Sequence, residues 1–221
     1  YVGLGAVAAG LAVQAGSYLV VFLGRAHSRD EDEVISFALG LAALSALLAL
    51  ACVAISYSGM PDGASGEYYF DLLFWGGGHV LQFTHTVMLL VASMLLLRGS
   101  GSRLRGTPRL HALLFTLTVL PLAAVPWING FPVSSPEHIV TFTDLMRYGG
   151  MASIPLLLLV IASLGRTGVL PPAQRPLRAA LICALTLFAG GGIMGFMIRG
   201  SNTVIPRIMG FMIRGSNTVI P

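Results

Sequence analysis

Six long apolar runs decide what this chain can fold into. The runs are 18 to 30 residues long, and a helix needs about 20 residues, at 1.5 Å each, to cross the hydrocarbon core of a bilayer. The runs are Val2–Leu23, Val34–Tyr57, Tyr68–Leu97, Leu110–Trp127, Thr141–Leu164 and Ala179–Ile198. In lipid the backbone must satisfy its own hydrogen bonds, and a helix does this within one segment. The sequence therefore predicts an all-α fold, a polytopic bundle of about six transmembrane helices.

The amino-acid composition also indicates that most of the protein surface contacts a lipid bilayer. Hydrophobic residues make up 55% of the 221 and charged residues only 10%, against about 25% charged in soluble domains. All 13 basic residues are arginine, and they give a net charge of +4. They cluster in the connections between the runs rather than on one face, so nucleic acid is not expected as a partner.

The arginines alternate between connections, and this alternation predicts orientation. The second and fourth connections have none. The arginines of the other three are Arg25 and Arg29 in the first, Arg98, Arg103, Arg105 and Arg109 in the third, and Arg166, Arg175 and Arg178 in the fifth. Because arginine is enriched on the cytoplasmic side of membrane proteins, the first run is expected to start outside. We expect an integral protein of a bacterial inner membrane.

The C-terminal residues repeat a segment of the sixth run. Ile193–Pro206 recurs unchanged as Ile208–Pro221, whereas repeats that stack into a fold need three or more copies. Residues 1–206 are therefore expected to form the bundle, with 207–221 an artefactual or disordered copy. The chain opens at Tyr1 inside an apolar run, which favours an internal piece of a longer protein.

The third and fourth runs differ in how well they suit a membrane helix. Pro121 and Pro126 interrupt the fourth run and are expected to kink it or end it early.

The third run contains Phe74-Trp75-Gly76-Gly77-Gly78-His79 and continues to Gln82 and His85. His79 lies about 17 Å from Tyr68 at the helical rise, near the middle of the bilayer.

Histidine at this depth is a candidate functional group, because ionisable side chains in a membrane are costly. The spacing from His79 to Gln82 to His85 turns the side chains around the helix, so the two imidazoles do not share one face as an i, i+4 metal pair does. We expect an inward-facing His79, with Trp75 one turn away, as a metal ligand or a hydrogen-bond donor. The glycines leave a flank for a flat cofactor or for a neighbouring backbone.

The fifth run carries a second polar set, Asp144, Arg147 and Tyr148. These positions are neighbours on one helix face, which predicts a structural ion pair, part of a proton path or an anchor for a carboxylated cofactor. His111 and His138 fall at the edges of the fourth and fifth runs, where solvated side chains are expected.

The segment 74–86 resembles the sixth transmembrane helix of haem–copper oxidase subunit I, in which a histidine after a tryptophan and glycine binds copper. Arg147–Gly150 and Ile198–Pro206 are similar to other stretches of divergent subunit I-like proteins. The resemblance implies His79 as a metal ligand. It also implies a cofactor site at Trp75, Gly78, Gln82 and Arg199, and a proton path or ion pair at His85, Asp144, Arg147 and Tyr148.

By this resemblance the protein would be part of a cytochrome c or quinol oxidase or a nitric oxide reductase. Haem is the implied cofactor, with copper as a second candidate, and electrons would pass to O2 or NO with coupled proton movement. The implied partners are other oxidase subunits or the missing helices of the same chain, and a cytochrome c or quinol donor. Only His79 carries over as a ligand, since the family's histidine pair is missing around Trp127–Phe131.

Two other functions suit the same residues. A transporter or channel-like bundle would line a proton or solute path with His79, Gln82, His85 and the Asp144/Arg147 pair. A non-catalytic assembly subunit would use its glycines only for packing.

Overall fold

A computed structural model describes residues 2–24, 31–164 and 172–197, and these residues form helices without any strand. The α-helices are α1 (Val2–Gly24), α2 (Glu31–Ser58), α3 (Gly66–Gly99), α4 (Pro108–Val119), α5 (Val125–Ile128), α6 (Pro136–Gly149), α7 (Ile154–Leu164) and α8 (Arg175–Met197). Short 3-10 helices span Leu120–Ala124, Gly150–Ser153 and Pro172–Gln174. The predicted all-α bundle is confirmed.

Five helical segments in the described residues are long and apolar enough to cross a membrane: Asp32–Ser58, Gly66–Gly99, Pro108–Ile128, Pro136–Leu164 and Arg175–Ile193. A sixth, α1, contains a shorter apolar stretch at Gly5–Leu19. By length and composition the chain is an integral membrane protein, with the lipid bilayer around its exposed apolar side chains.

The start of α6 corrects the predicted fifth run. The helix begins at Pro136 rather than at Thr141, because Ser135 is an N-cap whose hydroxyl accepts a hydrogen bond from the His138 amide at 3.2 Å. Pro136 fits the first helical position, where its missing N–H costs nothing. A search for apolar runs overlooks such a polar first turn.

Proline breaks the fourth segment where the sequence predicted it. α4 ends at Val119, and Pro121 lies in the 3-10 helix Leu120–Ala124 that separates α4 from α5. A second 3-10 helix, Gly150–Ser153, separates α6 from α7. The two interruptions meet beside α3, because a Cβ at Gly149 would lie 2.9 Å from the Pro121 ring and 3.1 Å from the Phe83 ring of α3.

Small residues bring α2 and α3 close together. Ala49 and Cys52 of α2 pack with Val80 and Phe83 of α3 in a buried cluster. At Gly77 an added Cβ would stand 2.4 Å from a Val53 methyl and 2.9 Å from the Ala49 carbonyl oxygen. Any side chain at Gly77 would therefore separate these two helices.

Polar contacts join the arginine-bearing connections at one end of the bundle, here called the arginine end. Arg98 forms an ion pair with Asp32 at 2.6 Å, which links the end of α3 to the start of α2. The Arg105 amide donates to the Ser163 hydroxyl at 3.0 Å, and the Arg178 guanidinium donates to the Leu164 carbonyl at 2.7 Å. The three connections therefore share one end, as their common charge predicted.

Several predicted features lie outside the described residues. They are Arg25, Arg29, Arg166, Arg199 and residues 198–221, which hold most of the repeat.

Candidate functional site

Trp75 and His79 form one hydrogen-bonded unit on α3. The His79 Nδ1 atom lies 2.6 Å from the Trp75 carbonyl oxygen, one turn earlier. The two rings are 4.9 Å apart and inclined by 40°. The Trp75 indole N–H donates to the Ile139 carbonyl of α6 at 3.0 Å. The indole therefore ties the histidine's helix to α6.

This contact fixes the tautomer of a neutral His79 side chain. A carbonyl oxygen only accepts hydrogen bonds, so the proton must be on Nδ1. The lone pair is then on Nε2, the atom that a metal or a hydrogen-bond donor would use. Histidines that ligate metals commonly donate their other N–H to a backbone carbonyl, which holds the ring in position. The half-buried His79 ring has this arrangement.

The three glycines before His79 have different surroundings. A Cβ at Gly76 would lie 2.9 Å from the Phe142 ring of α6, and Gly77 faces α2 in the same way. Gly78 has no atom within 4 Å of its missing Cβ. Two glycines thus allow neighbouring helices to approach, which was one of the predicted uses, and only Gly78 leaves an open flank.

Gln82 and His85 are exposed on α3, whereas His79 is half-buried. The two histidines do not share a face, as their spacing predicted. Gln82 also borders a small cavity of about 40 Å³ between α3, α4 and the break after α6. Its other lining residues are Phe83, Thr86, Thr118, Met146, Gly150 and Ser153. This volume suits about two or three water molecules beside several hydroxyl groups.

The second polar set lies on α6 beyond that cavity. Asp144 and Arg147 are partly buried, and the exposed Tyr148 ring meets Phe196 of α8 edge-on at 6.3 Å. The predicted ion pair between Asp144 and Arg147 stays a prediction. Participation of Asp144, Arg147 and Tyr148 in a proton path remains a prediction.

The expectation that His111 and His138 are solvated was wrong. His111 is 1% exposed, and its Nε2 atom lies 2.8 Å from the Arg105 carbonyl oxygen. His138 is fully buried, with its ring edge-on to Phe142 at 4.8 Å and close to the backbone of Ile128 and Phe131. Helix capping explains the error, because Thr107 and Ser135 start their helices before these histidines.

The described residues provide few possible metal ligands. None of their histidine, cysteine, aspartate and glutamate side chains form a group of three or more that would hold an ion. Within this part of the chain His79 is thus a candidate single ligand. Of the residues predicted around it, Trp75 contacts the imidazole ring, while Gly78 and Gln82 occupy the neighbouring open face of α3.

Comparison with known proteins finds relatives without an assigned function. The chain is 32% identical to an uncharacterised protein of Aquifex aeolicus (strain VF5) over 158 residues, covering 69% of this chain and 36% of that protein. It is 26% identical to the uncharacterised protein RP382 of Rickettsia prowazekii (strain Madrid E) over 171 residues, covering 63% and 33% respectively. The chain spans about a third of the length of these relatives. No family model and no solved structure matches it.

Proposed function

We propose that this chain is part of a haem–copper oxidase subunit I-like membrane oxidoreductase, in which His79 is a ligand to haem iron. The observation that carries the proposal is the hydrogen bond from His79 Nδ1 to the Trp75 carbonyl oxygen, 2.6 Å long. This bond places the lone pair on Nε2 and limits rotation of the ring. The open flank at Gly78 adds space beside the histidine that neither α2 nor α6 fills.

The described residues suit one type of cofactor site better than another. His79 would hold haem iron through its imidazole Nε2 atom. In the oxidase family the corresponding histidine binds copper in a site of three histidines, and the described residues do not form such a group, so we assign His79 to haem. Haem is therefore the cofactor we propose, and copper would require ligands from outside the described residues. When bound, haem would pass electrons to a small gas molecule, O2 or NO.

The protein's own groups would position and shield such a site. Trp75 donates to the Ile139 carbonyl at 3.0 Å, so that α6 and α3 together hold the indole beside the imidazole. Phe83 and Val80 pack in the buried cluster with Phe142 and Val125, which keeps water away from this part of α3. Water exclusion strengthens electrostatic interactions and prevents side reactions at a redox centre.

The remaining parts of the proposal concern the cellular setting. The shared arginine end would face the cytoplasm of a bacterium, with the N-terminal end of α1 on the outer side of the inner membrane. Electrons would come from a cytochrome c or quinol donor. The rest of a longer chain, or other oxidase subunits, would supply the further haem ligands.

A matched pair of histidine variants tests this function. The protein is purified from its source membranes as wild type, His79→Ala and His85→Ala, and the haem-to-protein ratio is measured with the Soret band. We expect His79→Ala to lose the haem that it ligates and His85→Ala to retain it, because His85 is exposed on another face of α3. Equal haem content in all three proteins would exclude His79 as a ligand.

The cavity beside Gln82 favours a second candidate function, a proton or solute path through the bundle. Thr118 and Ser153 border this cavity, and each hydroxyl donates to a carbonyl of its own helix, at 2.9 Å and 2.7 Å, leaving lone pairs for water. Ionisable and polar groups inside a membrane are typical of such paths.

Proton flux into liposomes distinguishes this second function from the first. Thr118→Val keeps the shape of the side chain and removes its hydroxyl. If the cavity conducts protons, this variant slows flux while the haem content stays at the wild-type value. If Thr118→Val conducts like the wild type, the path does not run through this cavity.

A further inference from the structure

The connection between α3 and α4 presents arginines from an ordered backbone. From Ser102 to Arg105 the residues alternate, with Ser102 and Leu104 buried and Arg103 and Arg105 exposed. The backbone here forms neither helix nor strand, and the alternating burial leaves both arginine side chains on the accessible side of the connection, at the arginine end.

Hydrogen bonds at both ends hold this connection in place. The Ser102 amide donates to the Leu97 carbonyl at 3.1 Å, and the Arg105 amide donates to the Ser163 hydroxyl at 3.0 Å. The Arg105 carbonyl accepts from His111 of α4 at 2.8 Å. Because the backbone is already ordered, a ligand that binds the two arginines has less conformational entropy to remove.

These two arginines have no acidic partner of their own. Arg98, in the same connection, forms an ion pair with Asp32 at 2.6 Å. Within the described ranges, neither Arg103, Arg105 nor Arg109 takes part in an ion pair. Guanidinium groups bind phosphate oxygens bidentately, so this free charge suits a phosphate group.

An apolar ridge continues from the arginines into the membrane. Leu113, Leu117 and Leu120 follow Arg109 by 4, 8 and 11 residues, a spacing that places all four on one side of the helical segment. The three leucines are 55%, 37% and 57% exposed. A charged group at the helix end and a leucine ridge below it match the two parts of a phospholipid, the headgroup and the acyl chain.

We propose that this surface binds an anionic phospholipid. Its phosphate is held by Arg103, Arg105 and Arg109, and an acyl chain lies along Leu113, Leu117 and Leu120. Basic pockets at helix ends on the cytoplasmic side are known to attract anionic lipid headgroups. The ridge is what distinguishes a lipid from free phosphate, since phosphate has no apolar part to place on α4. The proposal is independent of haem and of His79.

Lipid retention measured by native mass spectrometry tests the site. The wild-type protein and the variant Arg103→Gln/Arg105→Gln are placed in nanodiscs of equal parts phosphatidylcholine and phosphatidylglycerol, released, and scored for bound lipid. We expect the wild type to retain phosphatidylglycerol over phosphatidylcholine, and the variant to lose that preference at least about fivefold. That change is about 1 kcal/mol at about 1.4 kcal/mol per factor of ten.

Two controls test whether the lipid preference depends on Arg103 and Arg105 in particular. Arg98→Gln/Asp32→Asn removes an arginine of the same connection and its carboxylate partner, and we expect it to keep the wild-type preference. Millimolar inorganic phosphate should leave phosphatidylglycerol bound, because phosphate cannot contact the leucine ridge. Equal retention of the two lipids by the wild type, wild-type preference in Arg103→Gln/Arg105→Gln, or displacement by phosphate would each overturn the proposal.

Discussion

The imidazole of His79 and the carbonyl oxygen of Trp75 are 2.6 Å apart, and the Trp75 indole in turn donates to α6. One tryptophan thus links His79 to α3 through its backbone carbonyl and to α6 through its ring. The position of His79 depends on the contact between α3 and α6 as well as on its own helix.

Replacing Trp75 tests this link. Trp75→Phe removes the indole N–H while it keeps an aromatic ring, and a lost hydrogen bond costs about 0.5–1.5 kcal/mol of stability. We expect a lower melting temperature in detergent micelles, measured by intrinsic fluorescence or by circular dichroism. Trp127→Phe is the control, because Trp127 is 64% exposed and should change stability little. Equal effects of the two substitutions would show that the hydrogen bond to Ile139 contributes nothing.

The glycines beside His79 give a second test of packing. Gly77→Ala places a Cβ 2.4 Å from the Val53 side chain and 2.9 Å from the Ala49 carbonyl oxygen, so α2 and α3 must move apart. Overpacking of this kind costs about 1–3 kcal/mol. Gly78→Ala meets no atom within 4 Å, and alanine favours the helix, so its stability should stay equal or rise. Thermal unfolding of the two variants measures the difference, and the reverse order would contradict the α2–α3 contact.

The buried histidines should respond differently to phenylalanine. The His138 ring lies close to the backbone of Ile128 and Phe131 without a well-aligned hydrogen bond, so His138→Phe should change stability little. His111 donates to the Arg105 carbonyl at 2.8 Å, so His111→Phe should lose about 0.5–1.5 kcal/mol. Melting temperatures of both variants test this pair. A larger loss for His138→Phe would indicate that water or another polar group binds its ring.

Reporter fusions test the orientation. Alkaline phosphatase is active outside the cytoplasm and green fluorescent protein folds within it, so the two reporters respond oppositely. Fusions after Gly63, between α2 and α3, should give phosphatase activity, and fusions after Gly101, at the arginine end, should give fluorescence. The opposite result at both points would invert the bundle in the membrane.

Much of the fold follows from the sequence because the membrane imposes a simple rule on length. Apolar runs located the helices within a few residues, and Pro121 marked the break in the fourth. The runs missed the start of α6, where Ser135 and Pro136 form a polar cap that hydrophobicity does not register. That omission also led to the wrong expectation for His138, which lies inside the first turn.

Less of the candidate site than of the fold could be predicted from the sequence. Spacing alone placed Trp75 one turn from His79 and separated His79 from His85. It did not show which glycine faces which helix, because Gly76, Gly77 and Gly78 look alike until the neighbours Phe142 and Val53 are known. The alternating burial of residues 102–105 also depends on a contact with Ser163 of α7, which is distant in the sequence.

The most direct test of the account is to remove the His79 imidazole and then restore it from solution. His79→Gly is purified from the source membranes, and its absorption spectrum is recorded before and after addition of free imidazole. We predict that the variant shows an altered or missing Soret band and that imidazole returns it toward the wild-type spectrum. A wild-type spectrum in His79→Gly, unchanged by imidazole, would contradict the assignment of His79 as a haem ligand.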